Sequence, residues 1–131
     1  MRVLALDYGA ARTGVAISDE TGTIARPLTV VERADGDAGL GAVADLVRRE
    51  GAVLVVVGLP VSLDAREHGQ ARAARQYVAR LSARLDVPVV TCDERFTTKI
   101  ADARGGSGPS DARAAAVLLE DYLRAHGGER R

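Results

Sequence analysis

An α/β fold built on one five-stranded mixed sheet, flanked by helices, is what the sequence predicts, and three observations predict it. Val3-Leu4-Ala5-Leu6 and Val53-Leu54-Val55-Val56-Val57 are apolar without alternation, as central strands covered on both faces are. Three strand-like segments come first, joined by short turns that make antiparallel neighbours. Beyond them strands alternate with amphipathic helices, the pattern of parallel crossovers.

Residues 2–7, 13–19 and 23–31 form the three leading strands, broken at Gly9-Ala10-Ala11-Arg12 and Glu20-Thr21-Gly22. A helix follows over residues 37–49, with Leu40, Val43, Ala44 and Val47 on one face and Gly51 closing it. Residues 53–57 are the second interior strand, parallel to the first and ended by Gly58-Leu59-Pro60. A long helix over 66–85 carries Ala71, Ala74, Val78, Leu81 and Leu85 on one stripe and arginines 72, 75, 80 and 84 on its solvated half. Residues 87–92 form the fifth strand, 96–103 a short helix, 105–109 a glycine-rich loop and 110–125 the last helix. The order β-β-β-α-β-α-β-α is that of ribonuclease-H-like folds.

The chain has 131 residues, 47% of them hydrophobic, which is enough for one core and too little for two domains. A single domain over 1–125 with a loose tail over 126–131 is expected. Eighteen basic residues balance eighteen acidic ones, so the overall field does not favour a polyanion. Cys92 is the sole cysteine, which leaves no internal disulfide or cysteine-built metal site and fits a reducing compartment. The sequence begins directly with a strand and has no apolar stretch near the roughly 18 residues of a membrane span, so a cytoplasmic protein with no membrane partner is expected.

Asp7 stands out because nothing about folding asks for a charge where a buried strand leaves its sheet. Open sheets place ligands at such strand ends. In this topology the first, fourth and fifth strands exit side by side, which brings Asp93 and Glu94 to the same rim, with Glu94 preferred. Asp111 opens the last helix, and Ala114, Ala115, Leu118, Leu119 and Tyr122 follow on its face, so the acid turns toward the sheet. Alternatively Asp111 simply complements the positive helix N-terminus. Three converging carboxylates would repel one another unless a cation or protons intervened, and a divalent metal is the preferred remedy. Hard oxygen donors suit Mg²⁺ or Mn²⁺, and two such ions about 4 Å apart can drive phosphodiester hydrolysis.

Several neighbours admit two readings. Gly9 and Gly14 either satisfy hairpin geometry or let a phosphate backbone approach. Arg12 at the hairpin tip is either solvated or a phosphate contact. Thr97 and Thr98 cap a helix or donate to a phosphate, and Arg95 pairs with a neighbouring acid or with substrate.

Asp7-Tyr8-Gly9 with Arg12, Gly14 and Ser18-Asp19, then Gly58-Leu59-Pro60, Asp93-Glu94-Arg95 with Thr97-Thr98, and Asp111 with Ala114-Ala115 and Tyr122-Leu123, resemble the YqgF (RuvX-like) family, in order and over nearly the whole chain. The resemblance implies a ribonuclease-H-like fold and a metal-dependent nuclease whose acidic triad matches Asp7, Glu94 and Asp111. Family members are described either as candidate Holliday-junction resolvases in DNA recombination and repair or as nucleases maturing the 5′ end of precursor 16S ribosomal RNA. The chain departs from the family between Thr98 and Asp111, where a longer helix and a basic segment are usual. Here Lys99 and Arg104 are the only cations of a short glycine-rich stretch.

The expected function is therefore cleavage of structured nucleic acid, with precursor ribosomal RNA ahead of branched DNA and a ribosomal particle as a candidate partner. Asp7 is expected to bridge the metals, Glu94 and Asp111 to complete their coordination, and Arg12 and Arg95 to steady phosphates. A monomer or a homodimer would serve. One rival is an actin-like nucleotide-binding protein using Asp7-Tyr8-Gly9, which 131 residues are too few to build. Another is a non-catalytic nucleic-acid-binding module on the same fold.

Overall fold

A computed structural model describes residues 1–9, 11–59, 68–93 and 110–126. Strand β1 (Arg2–Asp7) is the centre of the sheet. On one side it pairs antiparallel with β2 (Arg12–Ser18), which pairs antiparallel with the edge strand β3 (Ala25–Glu32). On the other side it pairs parallel with β4 (Ala52–Leu59), which pairs parallel with β5 (Val89–Asp93). The order is β3-β2-β1-β4-β5, so β1, β4 and β5 leave the sheet side by side at one end, as the sequence predicts. Helices α1 (Asp37–Glu50), α2 (His68–Arg84) and α3 (Ser110–His126) complete the described elements. The helix expected over 96–103, the loop over 105–109 and the tail residues 127–131 lie outside the described residues. So do the first two residues expected in the long helix.

Alternation along the strands sorts side chains between two cores. On one face Leu4 and Leu6 of β1, Val15 and Ile17 of β2, and Val55 and Val57 of β4 pack with Leu40, Val43, Leu46 and Val47 of α1 and with Tyr77 and Leu81 of α2. On the other, Val3, Ala5, Ala16 and Val56 meet Ala115, Ala116, Leu118, Leu119 and Leu123 of α3. Arginines 72, 75, 80 and 84 are all exposed on α2, as its stripe implies.

Two details differ from the sequence expectation. Val53 belongs to a run expected to be covered on both faces, yet it is 46% exposed. The pairing of β1 with β4 slips between Arg2/Ala52 and Val3/Leu54, so Val53 is the extra residue of a bulge and is pushed out of the ladder. Helix α3 is also buried over more than a stripe: Ala112, Ala116 and Val117 join Ala114, Ala115, Leu118 and Leu119 inside. Tyr122 lies at the rim of this core, half-buried, with its ring stacked on His126 at 4.2 Å.

Candidate functional site

Asp7 is the last residue of β1 and is half-buried. Its side chain belongs with Val3 and Ala5 by alternation, so it faces the α3 side of the sheet. Its strand neighbours are Gly14 on β2 and Gly58 on β4, and Gly58 in turn pairs with Cys92 on β5. The row through Asp7 therefore carries glycine on both sides, with no side chain flanking the acid from either neighbouring strand.

The seat at Gly14 brings the helix acid to this row. A Cβ built on Gly14 would stand 1.9 Å from the carbonyl oxygen of Asp111 and 2.9 Å from the amide nitrogen of Ala112. Only a residue without a side chain lets the first turn of α3 rest on the strand there. Directly opposed residues of an antiparallel pair have Cα atoms about 4.5–5.5 Å apart. Asp111 thus enters the fold against the strand position facing Asp7. Its carboxylate accepts an ion pair from Arg12, the first residue of β2, with Nε and Oδ2 3.4 Å apart. Arg12 is neither simply solvated nor left without a partner, and Asp111 does more than complement its helix.

The hairpin between β1 and β2 holds Arg12 in place. The Gly9 amide donates to the Thr13 hydroxyl, which donates back to the Gly9 carbonyl, both at 3.4 Å. A Cβ on Gly9 would lie 2.5 Å from the Arg12 carbonyl oxygen, so the turn itself requires this glycine.

Tyr8 anchors the exit of β1 from the opposite face, a role the sequence reading missed. Its ring stacks on Tyr77 of α2 with centroids 4.6 Å apart, and its hydroxyl donates to Asp35 Oδ2 at 3.1 Å. Burial, and then the hydrogen bond to Asp35, raise the Tyr8 pKa above the ordinary phenol value. The Tyr77 phenol is raised as well, chiefly by burial. The only signal in the sequence was two tyrosines in a chain with 3% aromatics.

Asp93 closes β5 beside Leu59, next to the exits of β1 and β4. Glu94, Arg95, Thr97 and Thr98 lie outside the described residues. Among the described residues no group of three histidines, cysteines or acids is placed to hold a metal. The described part of the site thus supplies two carboxylates, Asp7 and Asp111, at a glycine-walled strand end. Their hard oxygen donors suit Mg²⁺ or Mn²⁺, and the contact of the Asp111 backbone with Gly14 seats the start of α3 on the strand position paired with Asp7.

Comparisons with known proteins bear on the whole chain. The family model described as RuvX: Holliday junction resolvase matches residues 1–125. A Syntrophus aciditrophicus protein named "Putative pre-16S rRNA nuclease" is 39% identical, over 94% of this chain and 88% of its own length. A Thermus thermophilus protein of the same name is 42% identical, over 94% of this chain and 97% of its own. Among solved structures, T. thermophilus RuvC in complex with a Holliday junction substrate superposes with a TM-score of 0.65 at 19% identity, covering 98% of this chain and 96% of that one. The fowlpox virus Holliday junction resolvase gives 0.54 at 13% identity, covering 95% and 99%. These two likenesses show the fold, which is the ribonuclease-H-like one the element order predicts. The family match and the curated relatives together carry the assignment: the chain belongs to the RuvX Holliday junction resolvase family.

Proposed function

We propose that this chain is a divalent-metal-dependent nuclease that hydrolyses phosphodiester bonds in structured nucleic acid, and that its step is 5′-end maturation of precursor 16S ribosomal RNA in the cytoplasm. The observation that carries the reading is the contact of Gly14 with the first turn of α3, which delivers Asp111 to the strand end where Asp7 leaves the sheet. A structural acid at either position would not need the other.

In this reading Asp7, Asp111 and Glu94 would hold the ions. Mg²⁺ or Mn²⁺, when bound, supplies an activated water and offsets charge on the leaving oxygen. Arg12 and Arg95 hold phosphate oxygens in line, Gly9 lets the nucleic-acid backbone approach, and Thr97 and Thr98 donate hydrogen bonds to it. The names of the curated relatives favour ribosomal RNA as substrate. Cleavage of branched DNA is the second reading, favoured by the description of the family model. A near-neutral chain suits a substrate presented on a ribosomal particle better than unaided capture of a junction.

Asp7→Asn tests the chemistry. We expect it to abolish Mn²⁺-dependent cleavage while leaving the melting temperature unchanged or higher, because one of two neighbouring like charges is removed. Cleavage at the unaltered rate would take Asp7 out of the site. Labelled precursor RNA, junction and flap substrates, each with and without Mn²⁺, separate the two substrates. Binding without any cut product would instead identify a non-catalytic module.

A further inference from the structure

We infer that Arg12 is a resident counter-cation, ion-paired to Asp111 when no divalent ion is bound and released toward a substrate phosphate when an ion takes that carboxylate. The inference rests on the metal-site reading above and assigns the order in which two positive groups use one acid.

The geometry suits a transient pairing. The Arg12 and Asp111 side chains are 64% and 34% exposed, and Nε stands 3.4 Å from Oδ2. Water screens such a contact, so a doubly charged ion with oxygen affinity can displace it. A guanidinium also carries four further N–H donors in a planar fork that matches a phosphate.

Arg12 need not leave the site when it lets go. Its backbone is fixed by the Gly9–Thr13 turn, and its strand partner on β3 is Glu32, an exposed acid. Residues opposed on an antiparallel pair lie on the same face, so Arg12 has a carboxylate on each side, Glu32 from the sheet and Asp111 from α3. Losing Asp111 leaves the guanidinium beside Glu32, at the mouth of the site, where a phosphodiester would arrive. Until then it offsets the repulsion between Asp7 and Asp111.

A competitor and a helper predict opposite signs for one measurement. Mn²⁺ alone, titrated into the full chain and followed by the electron paramagnetic resonance signal of the free ion, gives a Kd that does not depend on activity. Arg12→Ala should bind Mn²⁺ about two- to fivefold more tightly at low ionic strength, the upper part of what an exposed ion pair is worth, and the gain should fade as salt is added. Arg12→Lys, which keeps the charge, should lie close to the unaltered protein. With nucleic acid present, Arg12→Ala should raise KM several-fold more than it lowers kcat, because the lost group contacts a phosphate rather than the reacting atoms. Unchanged or weaker Mn²⁺ binding by Arg12→Ala overturns the exchange and leaves the nuclease reading standing. Absence of Mn²⁺ binding by the unaltered protein overturns both.

Discussion

The two faces of the sheet are built from different sizes of side chain. Toward α1 and α2 the central strands present leucine, valine and isoleucine, and the layer closes with Tyr77 and Leu81. Toward α3 they present Val3, Ala5, Ala16 and Val56, and the helix answers with Ala115 and Ala116 beside Leu118, Leu119 and Leu123. Large residues remove more apolar area from water per position, so the first face contributes more of the stability. Small residues let a helix lie closer, so the second can press the start of α3 onto Gly14 and bring an acid to the strand end. Under the proposed nuclease reading, one face chiefly holds the fold together and the other places the chemistry.

Truncating the large face should show this most strongly. Leu6→Ala removes a fully buried side chain next in sequence to Asp7 but on the other face, and should lower stability by about 2–5 kcal/mol in thermal or denaturant unfolding. The fraction still folded at low temperature should cleave at nearly the normal rate, since Asp7 and Asp111 are not displaced. Gly14→Ala should also cost stability, about 1–3 kcal/mol or more, because the new methyl group meets the backbone of Asp111 and must push the start of α3 away. Its specific activity should fall at least tenfold. If Gly14→Ala folds and cleaves normally while Leu6→Ala is inactive, the division between the faces is wrong.

How much of this the sequence disclosed follows from how locally each feature is encoded. The strands, their order and Asp7 at the rim are written in short windows: an apolar run that stops at an acid, then turn residues. The direction of Asp111 was legible from the 3.6-residue period, because Leu118 and Leu119 mark the buried side of its helix. The breadth of that burial was not, since a run of alanines gives little polar contrast to read. Gly14 read equally as a hairpin residue and as room for a phosphate backbone. What demands a glycine there is backbone at the far end of the chain, and no local window contains that contact. The pairs Arg12 with Asp111 and Tyr8 with Asp35 were hidden for the same reason, each joining residues that only the folded sheet brings together.

The smallest effect expected is at Tyr8, which belongs to the large face although it is next to Asp7 in sequence. Tyr8→Phe keeps the ring against Tyr77 and deletes only the hydroxyl that donates to Asp35, so it should cost about 1 kcal/mol in unfolding experiments. Cleavage should be little changed. The pH dependence gives a sharper reading. The Tyr8 phenol is held above its ordinary pKa, so the folded chain keeps its proton where the unfolded chain has begun to lose it. Its contribution is complete below about pH 10 and drains away as pH rises through the folded pKa. Tyr8→Phe should therefore flatten part of the alkaline fall in melting temperature and leave the part that belongs to the more deeply buried Tyr77. An unchanged alkaline slope would mean that the hydroxyl contributes nothing to the anchor. A large loss of cleavage at full stability would mean that this residue serves the α3 face after all.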